Sequence, residues 1–129
     1  MPVKVADASA IVAYLFGEPA GDTIWPRLED ATLVAPQLLP FEVANACLKK
    51  LRTQPPHRES LLAAFAELAE LDIELREVEQ SAVLSTAENT GLSLYDASYL
   101  WLARELDAEL VTLDKRLGEA FRSPMPRGA

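Results

Sequence analysis

Predicted strands, most of them continuous apolar runs, alternate with segments of helical periodicity along the whole of this 129-residue chain. The strands are predicted at residues 3–6, 32–35, 73–78 and 110–113, and the helices at 8–16, 20–29, 38–52, 58–71, 80–89, 94–106 and 115–121. Parallel strands need long crossover connections and are buried on both faces of their sheet, so they read as unbroken apolar runs. The alternation therefore predicts an α/β protein, a three-layer α/β/α sandwich with a central parallel sheet of four or five short strands.

Length and composition indicate one folded domain over residues 1–129, with a flexible tail from about residue 122 to residue 129. The single Cys47 excludes an internal disulfide, and its apolar neighbours place it in the core. The chain lacks an apolar stretch of the roughly 18–20 residues that span a bilayer, and no signal peptide is recognisable, so we expect a cytoplasmic protein. The net charge of −8 argues against broad electrostatic capture of nucleic acid.

The two helical segments at residues 38–52 and 94–106 differ in their apolar patterns. The first predicts a polar stripe of Glu42, Asn45 and Lys49 at spacings of three and four residues. Its predicted apolar face consists of Phe41, Ala44, Cys47, Leu48 and Leu51. The second segment is apolar nearly all round, which predicts burial on most sides.

Four acidic residues stand beside or inside apolar segments, where an unpartnered charge is costly. Asp7 and Asp114 directly follow predicted strands, and ligands of α/β proteins bind at the carboxyl ends of strands. Glu42 and Asp96 lie within helical segments. Each acid also has a purely structural explanation, since Asp7 and Asp114 suit helix N-caps, Ser93-x-x-Asp96 fits a capping box, and Glu42 suits a solvated helix edge.

Considered together, the four acids indicate a metal site. Two unit charges 4 Å apart repel by roughly 4 kcal/mol at an effective dielectric of about 20, so converging carboxylates recruit cations. Mg²⁺ or Mn²⁺ is indicated because His57 and Cys47 are the only residues of their types and could not build a zinc site. A carboxylate-held metal suits phosphodiester hydrolysis, and the chain has no glycine-rich phosphate loop to indicate nucleotide binding.

The chain resembles the PIN domain, specifically the VapC-type toxins of bacterial toxin–antitoxin pairs. The resemblance is carried by four segments in order, at residues 5–10, 41–46, 94–99 and 110–117. It implies a Mg²⁺- or Mn²⁺-dependent endoribonuclease with Asp7 and Asp96 as principal metal ligands and Asp114 completing the metal site. Glu42 would bind metal through water or position the attacking water. Supporting roles in orienting these acids would fall to Ser9, Asn45 and Thr112.

The resemblance further implies a homodimer and a small cognate antitoxin that blocks the acidic pocket, for which the Leu- and Ala-rich residues 61–75 are a candidate groove. Two features depart from the family pattern. Leu117 and Gly118 stand where a further acid is often found, with Glu119 one position later, and a C-terminal edge strand is hard to find in residues 121–125.

Two other functions remain open at the level of sequence. One is a PIN-like module that binds RNA or protein without cutting, although retention of all four acids argues against it. The other is a receiver-like signalling domain that accepts phosphate on an acidic pocket, although the chain lacks the adjacent pair of early acids expected there.

Overall fold

Four parallel strands form the central sheet of the structure, a computed structural model that describes residues 1–123. The strands are β1 (Val3–Ala6), β2 (Thr32–Pro36), β3 (Glu74–Arg76) and β4 (Glu109–Val111), in the order β3-β2-β1-β4. Neighbouring residues of the strands point to opposite faces of the sheet, yet Val5 and Ala6 are both fully buried, as are Val34 and Ala35 to within 1%. Both faces are therefore covered, which confirms the predicted three-layer α/β/α sandwich.

Seven α-helices connect the strands and cover the sheet within residues 1–123. They are α1 (Ala8–Leu15), α2 (Gly21–Leu28), α3 (Leu39–Thr53), α4 (Arg58–Ala66), α5 (Gln80–Thr90), α6 (Leu94–Glu105) and α7 (Lys115–Arg122). The helix predicted over residues 58–71 is divided, because α4 ends at Ala66 and a 3₁₀ helix, Glu67–Leu71, continues to the left-handed Asp72. None of the helices in this part of the chain is long and apolar enough to cross a membrane.

The order of the strands creates a switch point between β1 and β4. The chain passes from β1 outward through β2 to β3, and α6 then leads back to β4 on the other side of β1. Ala6 pairs with Val111, and the amide of Asp7 extends the ladder by donating to the Val111 carbonyl at 3.1 Å. Ligand sites of open α/β sheets lie outside the carboxyl ends of the strands at such a switch point.

The predicted apolar face of α3 is wrong in part. The buried residues of this helix are Leu39, Val43 and Cys47, which follow one another at spacings of four. Phe41 is 84% exposed and Leu48 is 40% exposed, although both were placed on the apolar face. The apolar residues of α3 lie on several sides of the helix, so the helical wheel alone could not decide which of them are buried in the fold.

The other departures concern the ends of helices. The first turn of α6 is exposed at Leu94 and Tyr95, while the rest of the helix is largely buried as predicted. At the C-terminus, Phe121 and Arg122 belong to α7, and no strand follows β4 within residues 1–123. The tail predicted from about residue 122 falls mainly on residues 124–129, which lie outside the described part of the chain.

Candidate active site

Asp7 occupies the centre of the switch point, directly after β1. Its side chain is only 4% exposed, and it caps α1 by accepting a hydrogen bond from the Ala10 amide at 3.1 Å on Oδ1. Ser9 donates to the same oxygen at 2.7 Å, and Thr112 donates to Oδ2 at 2.5 Å. A buried carboxylate is tolerated only with such partners.

Ser9 and Thr112 also fix the loop between β4 and α7. Ser9 Oγ accepts from the Leu113 amide at 2.9 Å, and Thr112 Oγ1 accepts from the Asp114 amide at 2.9 Å. The same two hydroxyl groups therefore hold Asp7 and determine where Asp114 begins the next helix. The roles expected of Ser9 and Thr112 in supporting a metal site stay a prediction.

Asp96 and Asp114 stand at the starts of the next two helices along this edge. Ser93 caps α6 by accepting from the Asp96 amide at 3.1 Å, which leaves the Asp96 carboxylate outside the capping bond. Asp114 caps α7 through Oδ1, which accepts from the Leu117 amide at 2.9 Å. Both acids are partly exposed. The predicted N-caps at Asp7, Ser93 and Asp114 are present, and of the predicted Ser93–Asp96 capping box the bond from the Asp96 amide to Ser93 is formed.

Glu42, in the first turn of α3, is held by a residue that the sequence did not single out. The Tyr99 hydroxyl donates to Glu42 Oε1 at 2.6 Å, and Tyr99 itself is 1% exposed. A buried tyrosine hydroxyl needs a polar partner, which was the available signal in the otherwise apolar segment around Tyr99. Asn45 was expected to orient Glu42. It lies with Glu42 beside a surface cavity, while Glu42 takes its hydrogen bond from Tyr99.

The charges of Asp7, Asp96 and Asp114 each act on another of the acids, so the fold places these acids near one another. Burial raises the pKa of Asp7, and the negative charge of Asp96 raises it further. The hydrogen bonds that Asp7 accepts lower its pKa and oppose both effects. Burial likewise raises the pKa of Glu42, with further increases from Asp96 and Asp7. The pKa of Asp96 is raised by burial and then by Asp114, while the Ser93 side chain and then the charge of Arg116 lower it. All four carboxylates therefore belong to one electrostatic site.

The carboxylate oxygens of this site suit a hard cation that keeps part of its water shell. Within residues 1–123, no three acidic, histidine or cysteine side chains are arranged as a ready-made metal cluster. Mg²⁺ is usually held by one or two carboxylates, several waters and substrate phosphates rather than by a complete protein cage. Mutually repelling carboxylates of raised pKa, without histidine or thiolate among them, are suitable partners for such an ion.

Comparison with known proteins decides the family. A family model described as the PIN domain matches residues 4–121, nearly the whole chain. The chain belongs to the PIN-domain family. Ribonuclease VapC3 of Pyrobaculum aerophilum is 31% identical to this PIN-domain chain over 122 residues, which cover 91% of the chain and 93% of that relative.

A solved structure extends the likeness of this PIN domain to three dimensions. The crystal structure of PAE2754 from Pyrobaculum aerophilum superposes with a TM-score of 0.76 at 25% sequence identity. The match covers 94% of this chain and 87% of the other. The family predicted from four sequence segments is therefore confirmed.

Proposed function

We propose that this PIN-domain protein is a divalent-metal-dependent endoribonuclease of the VapC type, the toxin of a toxin–antitoxin pair. The observation that carries the proposal is the electrostatic site at the β1–β4 switch point, where buried Asp7 is influenced by Asp96 and joined through Thr112 to Asp114. The name of the relative Ribonuclease VapC3 supports RNA as the substrate. Such an enzyme would act in the cytoplasm, where RNA is translated.

The roles proposed for the acids are those that the PIN-domain resemblance implies. Asp7 and Asp96 would hold Mg²⁺ or Mn²⁺, and Asp114 would complete the metal site. When bound, such an ion lowers the pKa of water and stabilises charge on the leaving oxygen. Glu42 would accept the proton of the water that attacks phosphorus, because its raised pKa brings it closer to the operating pH. Ser9 and Thr112 keep Asp7 in one orientation, and Asn45 would contact RNA or water beside Glu42.

The decisive test is cleavage of total RNA by the purified protein with Mg²⁺, with Mn²⁺, with no added metal and with chelator. We expect cleavage with either ion, none with chelator, and recovery when the ion is added in excess. Cleavage that is insensitive to chelator would contradict the metal-dependent mechanism. Binding without cleavage, across many RNAs and both metals, would favour the non-catalytic PIN-like module.

Replacing Tyr99 with Phe is expected to reduce kcat by roughly 10- to 100-fold, the usual loss when a group that orients a metal-site residue is removed. The Tyr99 hydroxyl lowers the pKa of Glu42, so its loss should also move the acidic limb of the pH–rate profile to higher pH. Rates and pH profiles of Tyr99→Phe and of Tyr14→Phe, which removes a hydroxyl from the Tyr14–Trp25 stack, provide the comparison. An unmoved profile in Tyr99→Phe would contradict the role.

We also propose association with a VapB-type antitoxin and formation of a homodimer. An apolar groove of about 420 Å³ lies in the expected region, where Phe65, Leu68 and Leu75 face Leu39 and Pro40. The net charge of −8 suits a partner that places a basic side chain among the acids. Light scattering of the chain, alone and with the antitoxin, measures both associations, and a monomeric mass for the chain alone would contradict the dimer.

A further inference from the structure

A second cleft opens beside Glu42, between the first turns of α3 and α6. Its volume is about 450 Å³, within the range of about 300–1,000 Å³ that is usual for ligand pockets. The residues that line it are Leu38, Phe41, Glu42, Asn45 and Tyr95. Glu42 thus belongs both to this cleft and to the acidic site.

The two aromatic side chains of the cleft contribute little to the core. Phe41 is 84% exposed and Tyr95 is 63% exposed. The buried stripe of α3 passes through Val43 instead, and that of α6 begins at Ala97. Because packing within the chain does not account for two exposed aromatic rings on one cleft, the cleft is a candidate binding surface.

Each ring directly precedes one of the acids, since Phe41 comes before Glu42 and Tyr95 before Asp96. Adjacent residues of an α-helix differ by about 100° around its axis and by only 1.5 Å along it. A ring and the acid that follows it therefore lie at the same height on neighbouring sides of the helix. A ligand that contacts both rings has its next chemical group beside the carboxylates.

We propose that Phe41 and Tyr95 form a stacking cleft for an unpaired nucleobase of the RNA strand, next to the phosphate that is cleaved. This inference rests on the proposed ribonuclease function and adds the requirement for a single-stranded, unstacked substrate. Aromatic rings stack on any base, and each such contact contributes about 1–3 kcal/mol. The exposed Asn45 amide offers a donor and an acceptor to the edge of the base.

The charge of the protein favours a base over a phosphate as the group that is captured. Most nucleic-acid affinity comes from basic side chains that neutralise phosphates, and this chain has 12 Lys and Arg residues against 20 Asp and Glu. Stacking needs no positive charge, so it can supply affinity on an acidic surface. A second protein chain seated in the cleft is the competing occupant.

The experiment measures Kd and KM for a single-stranded oligoribonucleotide that contains 2-aminopurine, whose fluorescence is quenched when the base stacks. Phe41→Ala and Tyr95→Ala should each weaken binding by roughly 5- to 150-fold and reduce the quenching. Phe41→Tyr should bind nearly as wild type, whereas Phe41→Leu, which keeps the bulk and loses the π-face, should resemble Phe41→Ala. Leu84→Ala removes a 63% exposed apolar side chain that does not line the cleft and serves as the control.

The outcomes separate this inference from the proposed function. If wild type cleaves RNA but Kd and KM are unchanged in both alanine variants, or if Phe41→Leu binds fully, the stacking cleft is wrong and the ribonuclease stands. Loss of dimer or antitoxin binding at unchanged RNA affinity would assign the cleft to a protein and overturn the inference. Stacking-dependent binding without any cleavage would support the cleft and contradict the enzyme.

Discussion

The Asp96→Asn variant is expected to lose Mg²⁺-dependent RNA cleavage by roughly 10²- to 10⁴-fold while remaining folded. The substitution removes one negative charge and one oxygen ligand from the site and changes the shape of the side chain very little. The start of α6 should survive, because Ser93 accepts its capping bond from the backbone amide of residue 96, which the substitution keeps. Turnover by the purified variant and its thermal unfolding measure the two halves of the prediction.

Asp107→Asn is the matched control for Asp96→Asn. Asp107 is exposed, follows the other end of α6 and has a left-handed backbone (φ 49°) that Asn also tolerates. The Asp107→Asn substitution removes one negative charge from the protein without changing the site, so the cleavage rate of this variant should stay near that of wild type. Full Mg²⁺-dependent cleavage by folded Asp96→Asn protein would sink the proposed mechanism, and an equal loss in both variants would assign the effect to overall charge.

Most of the fold could be predicted from the sequence because β1, β2 and β4 are buried over much of their length. Leu33, Val34 and Ala35 form an unbroken apolar run, and helical segments of suitable length lie between the runs. The edge strand β3 was found by a different signal, the alternation through Glu74 and Leu75, and its residues are exposed. Local pattern was sufficient to locate both strands, although the alternation of β3 did not reveal that all three of its residues are exposed.

Features that depend on distant partners could not be predicted in this way. Tyr99 and Glu42 are 57 positions apart, and nothing near either residue identifies the other. Phe41 is as apolar as its buried neighbour Val43, so only the packed structure shows that one of them faces outward. The sequence indicated four candidate acids, and the fold shows the groups that hold Asp7 and Glu42.

Capping and catalysis are not alternatives at this site. Asp7 and Asp114 are N-caps, and Glu42 and Asp96 lie in the first turns of their helices. The N-terminus of a helix carries partial positive charge, which favours a carboxylate there. Four helix N-termini that meet at one edge of the sheet therefore help the fold tolerate four acids. The position at a helix N-terminus that explains each acid structurally therefore also stabilises its negative charge in the site.

Keeping a charged carboxylate buried should still cost stability, and we expect that cost to be measurable at Asp7. We expect Asp7→Asn to abolish cleavage and, without metal at neutral pH, to raise the free energy of unfolding by about 0.5–2 kcal/mol. Asn is as good an N-cap as Asp, so the bond to the Ala10 amide can be kept. The gain arises because a buried charge, repelled by Asp96, is removed.

The pH dependence distinguishes this cause from a simple improvement in packing. The pKa of Asp7 is raised in the folded state from its ordinary value of 3.8, so the folded protein holds that proton more tightly than the unfolded chain. The contribution of Asp7 to stability is complete below that value and is lost as the pH rises through the folded-state pKa. The advantage of Asp7→Asn should thus be small below about pH 4 and grow above it.

Urea unfolding of wild type, Asp7→Asn and Asp30→Asn between acidic and neutral pH, in chelator, measures the growth of that advantage. Asp30 is exposed and left-handed (φ 57°), so its substitution controls for the loss of one surface charge. Excess Mg²⁺ should reduce the difference in free energy of unfolding between Asp7→Asn and wild type, because an ion that binds only the folded wild type stabilises it by mass action. A stability difference between Asp7→Asn and wild type that is constant with pH would contradict this explanation. An Asp7→Asn protein less stable than wild type would show that the Asp7 carboxylate stabilises the fold.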